Sequence, residues 1–452
     1  MNALGLQDGS RVAIIGGGPA GSFCAYFLLT LSQALAVDLA VDIYEPRDFD
    51  APGPAGCNMC GGVVSESLIG SLARDGIILP PAVVQRIISS YVLTTDEGSV
   101  RITMAAPDKH VAALHRGAGP RGVAGTRWQG LDGYLLRRAA GLGAEVIRER
   151  VAMVARQGSR PTITVHGRRR AYDLVVGATG VNSTAWALYE QLGIPSPRPR
   201  TTRAYIFELP LDRDEIARCA GEAMHIFLLR IARLEFAAII PKETVLTVCL
   251  LGRAIDRAMI EAFFASTPVR RIFGGHLSSH PAVCRCMPAI NVGAAPHPYA
   301  DGVVLVGDCG VTRLYKDGIG AAYRTAKAAA LTAMFSGVSA ESFRRYYLPV
   351  YRAVEGDNSF GRLLFFGARQ FKACRPLLRG LSMLVAREQT ARSTHQPMSH
   401  VLWGLFTGSA PYRDIFVRAI DPRLLRLLFR ETLRTAFRSA PPISARAPGT
   451  GH

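Results

Sequence analysis

Residues 11–21 read Arg-Val-Ala-Ile-Ile-Gly-Gly-Gly-Pro-Ala-Gly, and this stretch decides the fold. Arg11 to Ile15 has the character of a short buried strand, the glycines break it at once, and the apolar stretch through about Leu35 has the length of a helix. Val41-Asp-Ile-Tyr-Glu45 then gives a second strand ending in an acid. A strand, glycine turn, helix, strand and acid are the context that a dinucleotide fingerprint requires. Gly16 makes the tight turn, Gly18 lets the backbone approach a pyrophosphate, and Gly21 lets helix and strand pack closely. The helix N-terminus adds partial positive charge. Glu45 is placed to hold a ribose hydroxyl, and Ala20 and Arg47 belong to the same candidate site.

Two later segments extend the pattern. Asp173-Leu-Val-Val-Gly-Ala-Thr-Gly180 is a strand running into a glycine turn. Asp301-Gly-Val-Val-Leu-Val-Gly-Asp308 is another, followed by Lys316-Asp-Gly-Ile-Gly320 and an Ala-rich helix through about Met334. An Asp at a strand's end beside a glycine-opened helix can hydrogen-bond a polyol, while the helix N-terminus favours a negatively charged ring or phosphate.

In this order and spacing, over roughly residues 10 to 335, the three segments resemble the FAD-dependent oxidoreductases with the p-hydroxybenzoate hydroxylase fold, and within them the geranylgeranyl reductase-like branch. The resemblance implies that Gly16, Gly18, Gly21 and Glu45 hold the adenosine and pyrophosphate of FAD. It further implies that Gly180 belongs to the cofactor site, that Asp308 binds the ribityl chain, and that Gly318, Ile319 and Gly320 start the helix beneath the flavin ring. Arg127 to Asp132 and Leu135 look like the family's arginine-aromatic-aspartate segment, with a spacing longer by one residue. Cys60-Gly61-Gly62 is similar to the branch's cysteine-glycine motif near the flavin. Phe236-Ala-Ala-Ile-Ile-Pro-Lys242, with Leu250-Leu-Gly252, resembles its substrate-domain motif, although Ala238 stands where that motif carries Trp. Tyr315 and Lys316 replace the Pro that the wider family has before the glycine pair.

Nine cysteines in a chain read as cytosolic are expected to be reduced. Cys57 and Cys60 have the spacing of a thiol redox motif or of half a four-cysteine site, and Cys284-Arg-Cys286 forms a second close pair. Three readings stand side by side. Cys60 is an active-site thiol, with Cys57 beside it; or Cys57, Cys60, Cys284 and Cys286 bind an iron-sulfur cluster or zinc; or all four are packing residues under a glycine-rich loop. His276 and His280 read as ordinary loop histidines. Cys24, Cys219, Cys249 and Cys374 stand singly in apolar stretches and read as packing residues, whereas Cys309 adjoins Asp308.

The formal net charge of +18 is concentrated toward the end of the chain, where residues from Ser339 onward carry 18 Lys and Arg against 7 Asp and Glu. Asp421 reads as a helix cap and Pro422 as its first turn. Arg423, Arg426, Arg430, Arg434 and Arg438 then form one basic stripe, with Leu424, Leu425, Leu428 and Ala436 on other faces. Such a helix suits an anionic membrane surface, or else a seat on the flavin domain with its basic face in solvent. No recognition motif points to nucleic acid. The apolar stretch from Phe23 to Val41 is broken by Ser32, Gln33 and Asp38, so no membrane span is expected.

These readings combine into an α/β chain. A Rossmann-like FAD-binding domain comes from 1–90, 126–195 and 293–338, with an inserted β-rich substrate domain from 91–125 and 196–292. A basic helical region covers 339–438, and 439–452 is read as a disordered tail. The expected activity is FAD-dependent reduction of double bonds in an isoprenoid or quinone-like lipid, on the inner face of the membrane, with Cys57, Cys60 and Lys316 as catalytic candidates. The alternatives are an aromatic monooxygenase and an electron-transfer flavoprotein. With no second nucleotide fingerprint, the donor is open among NADPH, ferredoxin and others.

Overall fold

The computed structural model describes residues 5–57, 59–104, 109–121, 129–195, 198–273, 284–391 and 395–436. Arg127, His276, His280, Arg438 and the tail 439–452 lie outside the described residues.

The fingerprint strand Ser10–Ile15 is central in a six-stranded sheet. It pairs in parallel with Leu39–Tyr44 on one side and Leu174–Gly177 on the other; Glu145–Ile147 and Val303–Leu305 extend the sheet, and Tyr299–Ala300 closes it antiparallel. Ile15 pairs with both Tyr44 and Gly177, and Gly177 with Leu305, so four strands end in one row. Ligands of open α/β sheets bind outside that edge. The helices Pro19–Leu35 and Gly318–Phe335 cover one face and pack on each other through Phe23, Phe27 and Tyr323, whose rings meet edge-on at 5.7 Å. Phe23 is fully buried, which contributes about 2 kcal/mol.

A second, largely antiparallel sheet is built on Thr201–Pro210, Val245–Gly252, Leu234–Pro241 and Met224–Leu228, with Cys284–Cys286 at one edge and Ser90–Thr95 and Gly98–Thr103 at the other. Strands Leu234–Pro241 and Val245–Gly252 are buried at every position, because both faces are covered. Ala237, Ile239, Val248 and Leu250 pack with Met259 and Phe263 of the helix Arg257–Ala265. Phe236, Ala238, Ile240 and Cys249 alternate with them and face the C-terminal helices, meeting Phe365, Trp403, Phe406 and Tyr412. The period-two alternation of one strand thus divides two cores. Beside the small Ala238, helix Pro397–Thr407 brings Trp403 against Tyr91, with ring centroids 5.8 Å apart, and Phe406 against Phe236 at 5.6 Å.

Candidate functional site

The row of strand ends carries the first half of the site. Gly16 has φ +109, and a Cβ there would lie 2.6 Å from the Ala178 carbonyl oxygen. A Cβ on Gly21 would meet the Gly16 carbonyl oxygen at 1.9 Å, so only glycine fits where helix and turn touch. Helix Pro19–Leu35 has Gly18 at its N-cap, no side-chain cap and no acid in its first turn. Its first N–H groups are therefore left for an anion. Ala20 is buried there. Glu45 is 2% exposed and already engaged: it accepts the Gly17 N–H at 3.0 Å and is paired with Arg47 at 3.1 Å. Arg47 also stacks on Phe49, 5.1 Å from its centroid. Both thus shape the turn. Gly180, with φ +69, borders open space.

Asp308 is half-buried in a single helical turn after the Val303–Leu305 strand, and its carboxylate lies near Gly318 and the buried Thr312 hydroxyl. Burial pushes its pKa up, against Thr312 and the Arg116 guanidinium. The Thr312 hydroxyl is buried beside the Asp308 carboxylate. Gly318, Ile319 and Gly320 open the helix, and a Cβ on Gly320 would lie 2.1 Å from the Asp317 carboxylate. An uncapped helix start, glycines at the contacts and an acid beside a buried hydroxyl fit the pyrophosphate, ribityl chain and ring end of FAD. Arg116, which the sequence reading passed over, donates two hydrogen bonds to buried Asp132, at 2.9 and 2.8 Å.

The second half is the loop carrying Gly61 and Gly62. Gly62 has φ +74, and a Cβ would fall 1.9 Å from the Leu114 carbonyl oxygen; a Cβ on Gly61 would lie 2.8 Å from Cys249 Sγ. The loop is thereby pressed onto the second sheet. Lys316 lies in a strained turn between Tyr315 at φ +62 and Asp317 at φ +57. Its ammonium stands 4.9 Å from the centre of the Phe236 ring and makes no hydrogen bond or ion pair among the described residues. Burial lowers its pKa to about 8, and Cys249 and Cys60 are the charge neighbours that oppose the shift. Burial raises the Cys249 thiol to about 12.

Three groups that the sequence reading missed lie beneath the loop. Lys242, fully buried, has its ammonium 3.3 Å from His115 Nδ1 and 3.5 Å from Glu208 Oε1. Glu208 also accepts the Thr247 hydroxyl at 3.1 Å. Burial and the adjacent Lys242 push His115 well below its ordinary pKa, so it is neutral.

The four cysteines do come together around this point, but a metal site finds no support. Among the described residues no group of three or more His, Cys, Asp or Glu is arranged to hold a metal ion. Cys57 Sγ accepts the Met59 N–H at 3.2 Å and Cys60 Sγ accepts the Gly62 N–H at 3.4 Å, so both sulfurs turn back on their own loop. Cys309 is fully buried behind the cofactor turn, 3.5 Å from the Thr179 hydroxyl.

No family model and no curated protein sequence matches the chain. Solved structures do. A geranylgeranyl bacteriochlorophyll reductase-like protein from Thermoplasma acidophilum aligns over 91% of this chain and 98% of its own, with TM-score 0.64 and 16% identity. A flavoprotein/dehydrogenase from Cytophaga hutchinsonii covers 94% and 99%, with TM-score 0.63 and 15% identity. The halogenase PltM, solved with phloroglucinol and FAD, covers 94% and 96%, with TM-score 0.61 and 12% identity. The chain has the α/β fold of these flavoproteins, as the resemblance implied.

Proposed function

We propose that the protein is an FAD-dependent oxidoreductase that reduces double bonds of an isoprenoid or quinone-like lipid at an anionic membrane surface. The observation that carries this reading is Lys316, an ammonium enclosed by Phe236 and its ring neighbours Tyr315, Phe365 and Phe406, at the start of the helix that faces the cofactor site. An apolar enclosure with one proton donor suits an apolar substrate that gains a hydride and a proton. Bound FAD supplies the hydride or electron pair. Lys316, with a pKa of about 8, is mostly protonated at pH 7 and gives its proton to the reduced carbon or quinone oxygen, with Cys60 among its charge neighbours. The aromatic rings exclude water from the reacting face.

The C-terminal helix Pro422–Ala436 supports the membrane part. Leu424 and Leu428 are buried, but Leu425, Phe429 and Leu433 are exposed and fall four residues apart on one line. Arg423 and Arg426 make no ion pair among the described residues, whereas Arg430 and Arg434 share Glu431 with Arg387. Val417 and Ile420, just before this helix, are exposed too. Apolar residues flanked by unpaired arginines fit a peripheral seat on anionic lipid. No helix among the described residues is long and apolar enough to cross a membrane.

The test is anaerobic turnover of vesicle-borne prenyl lipids and quinones by the FAD-loaded protein, with Lys316→Met as the control. Reduction that the variant loses supports the reading; failure to reduce any of these lipids, or a variant as fast as the parent, refutes it. The fold is shared with a halogenase and with brominases, which favours oxygen-coupled chemistry on an aromatic ring as the second reading. NADPH consumption that requires oxygen would select it.

A further inference from the structure

Cys57, Cys60, His115, Arg116, Glu208 and Cys284 line one cavity of about 20 Å³. That is room for about one water and for no substrate. Its thiols come from different parts of the fold: Cys57 from the loop beside the first sheet, Cys284 from the edge strand of the second, paired directly with Glu208. Both are half-exposed, so a reagent from solution can reach them.

Five cysteines crowd this region and share neighbours: Cys60 lines the cavity with Cys57 and Cys284, and Cys249 has Lys242, Lys316 and Glu208 near it. Gly61 presses against Cys249, and Cys60 and Cys249 are the charge neighbours of Lys316. Cys57 instead has Glu208, Cys284 and Lys242 as its charge neighbours. Cys284 and Cys286 alternate on one face of their strand, in register with Glu208 and Ile206, and the Cys286 thiol donates to Cys284 and lowers its pKa. Beneath them Lys242, Glu208 and His115 form a buried polar set. Arg116 runs from this cavity toward Asp308, which places the cavity beside the cofactor site.

We propose that Cys57 and Cys284 form a reversible disulfide that carries an electron pair from an external dithiol donor to the bound cofactor. This rests on the FAD reading above and answers what reduces it. In the first half, a donor thiolate attacks Cys57 Sγ; the sulfur–sulfur bond breaks and Cys284 leaves as a thiolate, held by the Cys286 thiol. The lower-pKa sulfur is the better leaving group. The donor's second thiolate then displaces Cys57, giving an oxidised donor disulfide and a reduced Cys57/Cys284 pair that keeps the donor's two protons. In the second half the pair would return to the disulfide, and the two electrons and two protons it gives up would be those that reduce FAD bound beside it.

The experiment compares the air-purified, FAD-loaded protein with Cys57→Ser, Cys284→Ser and, as control, Cys374→Ser. Mass spectrometry of digests should show a Cys57–Cys284 linked fragment, in the presence or absence of FAD, that reduction removes. Anaerobic dithiothreitol should bleach the flavin absorbance in the parent and the Cys374 variant, and should fail to do so in the other two. Dithionite should bleach all four, which shows that the variants fold and hold cofactor. Absence of the linked fragment, or bleaching of the Cys57 and Cys284 variants by dithiothreitol at the parent rate, overturns the proposal. A parent protein with no flavin absorbance overturns the FAD reading instead, and the linked fragment still decides the disulfide.

Discussion

Replacing Lys316 by Met should make the protein more stable at neutral pH while removing the proton donor proposed above. A lysine held at a pKa of about 8 in the folded chain returns to 10.5 when unfolded. Below pH 8 both states carry the charge, and the folded state bears the whole cost of burying it. Between pH 8 and 10.5 the unfolded state binds more protons than the folded one, so stability rises with pH through that window. The difference of 2.5 between the two values corresponds to about 3 kcal/mol at pH 7. Met has nearly the same length and needs no solvation, and the cation–ring contact it gives up returns part of the gain, about 1 kcal/mol. Urea unfolding of parent and variant at pH 7, 8.5 and 10 should give an advantage for Met of about 2 kcal/mol at pH 7 that shrinks toward zero by pH 10. A variant less stable than the parent at pH 7, or an advantage independent of pH, would refute the claim that Lys316 is buried as an uncompensated charge.

Asp308→Ala should lose FAD in equilibrium dialysis, and full occupancy in the variant would remove Asp308 from the cofactor site. Changing Leu425, Phe429 and Leu433 together to Ser should weaken binding to phosphatidylserine-containing vesicles. Each side chain is about half exposed and adds about 1 kcal/mol on insertion, so the loss is about 100-fold; unchanged co-sedimentation would show that this line does not touch the bilayer. Gly62→Ala, at φ +74 and with its new methyl 1.9 Å from the Leu114 carbonyl oxygen, should cost more than about 2 kcal/mol, and an unchanged Tm would contradict the tight seat of the loop.

Glycine turns were the most legible part of the sequence because backbone geometry there admits one residue type. Gly16, Gly21 and Gly62 each sit where a single added carbon meets a carbonyl oxygen, and the helix at Pro19–Leu35 follows from the turn that starts it. Groups assembled by strand register were not legible. Glu208, Thr247 and Cys284 lie far apart in the chain and become neighbours through the pairing of three strands. A charged residue directly after eight buried positions, as Lys242 is, was the one sign available. Cys249 looked like packing because it stands alone, yet Ile206 pairs with it on one side and with Cys286 on the other. In the last helix the sequence separated basic from apolar faces, but which leucines are covered depends on helix Arg375–Thr390, whose packing buries Leu428 and leaves Leu425 out.

The turn that holds Lys316 is clamped by residues synthesised long after it. Arg313 donates to the carbonyls of Gly408 and Ala410, 95 and 97 residues downstream, and stacks 4.1 Å from the centre of the Tyr412 ring; the Tyr412 hydroxyl in turn donates to the Leu314 carbonyl. At translation rates of about 5–20 residues per second, those clamps follow the turn by roughly 5–20 s. The glycine fingerprint and its helix are complete within the first tenth of the chain, so the phosphate cradle forms early and the proton donor is fixed last. On the FAD reading proposed above, the turn that starts the phosphate site is therefore made long before the turn of Lys316 is clamped.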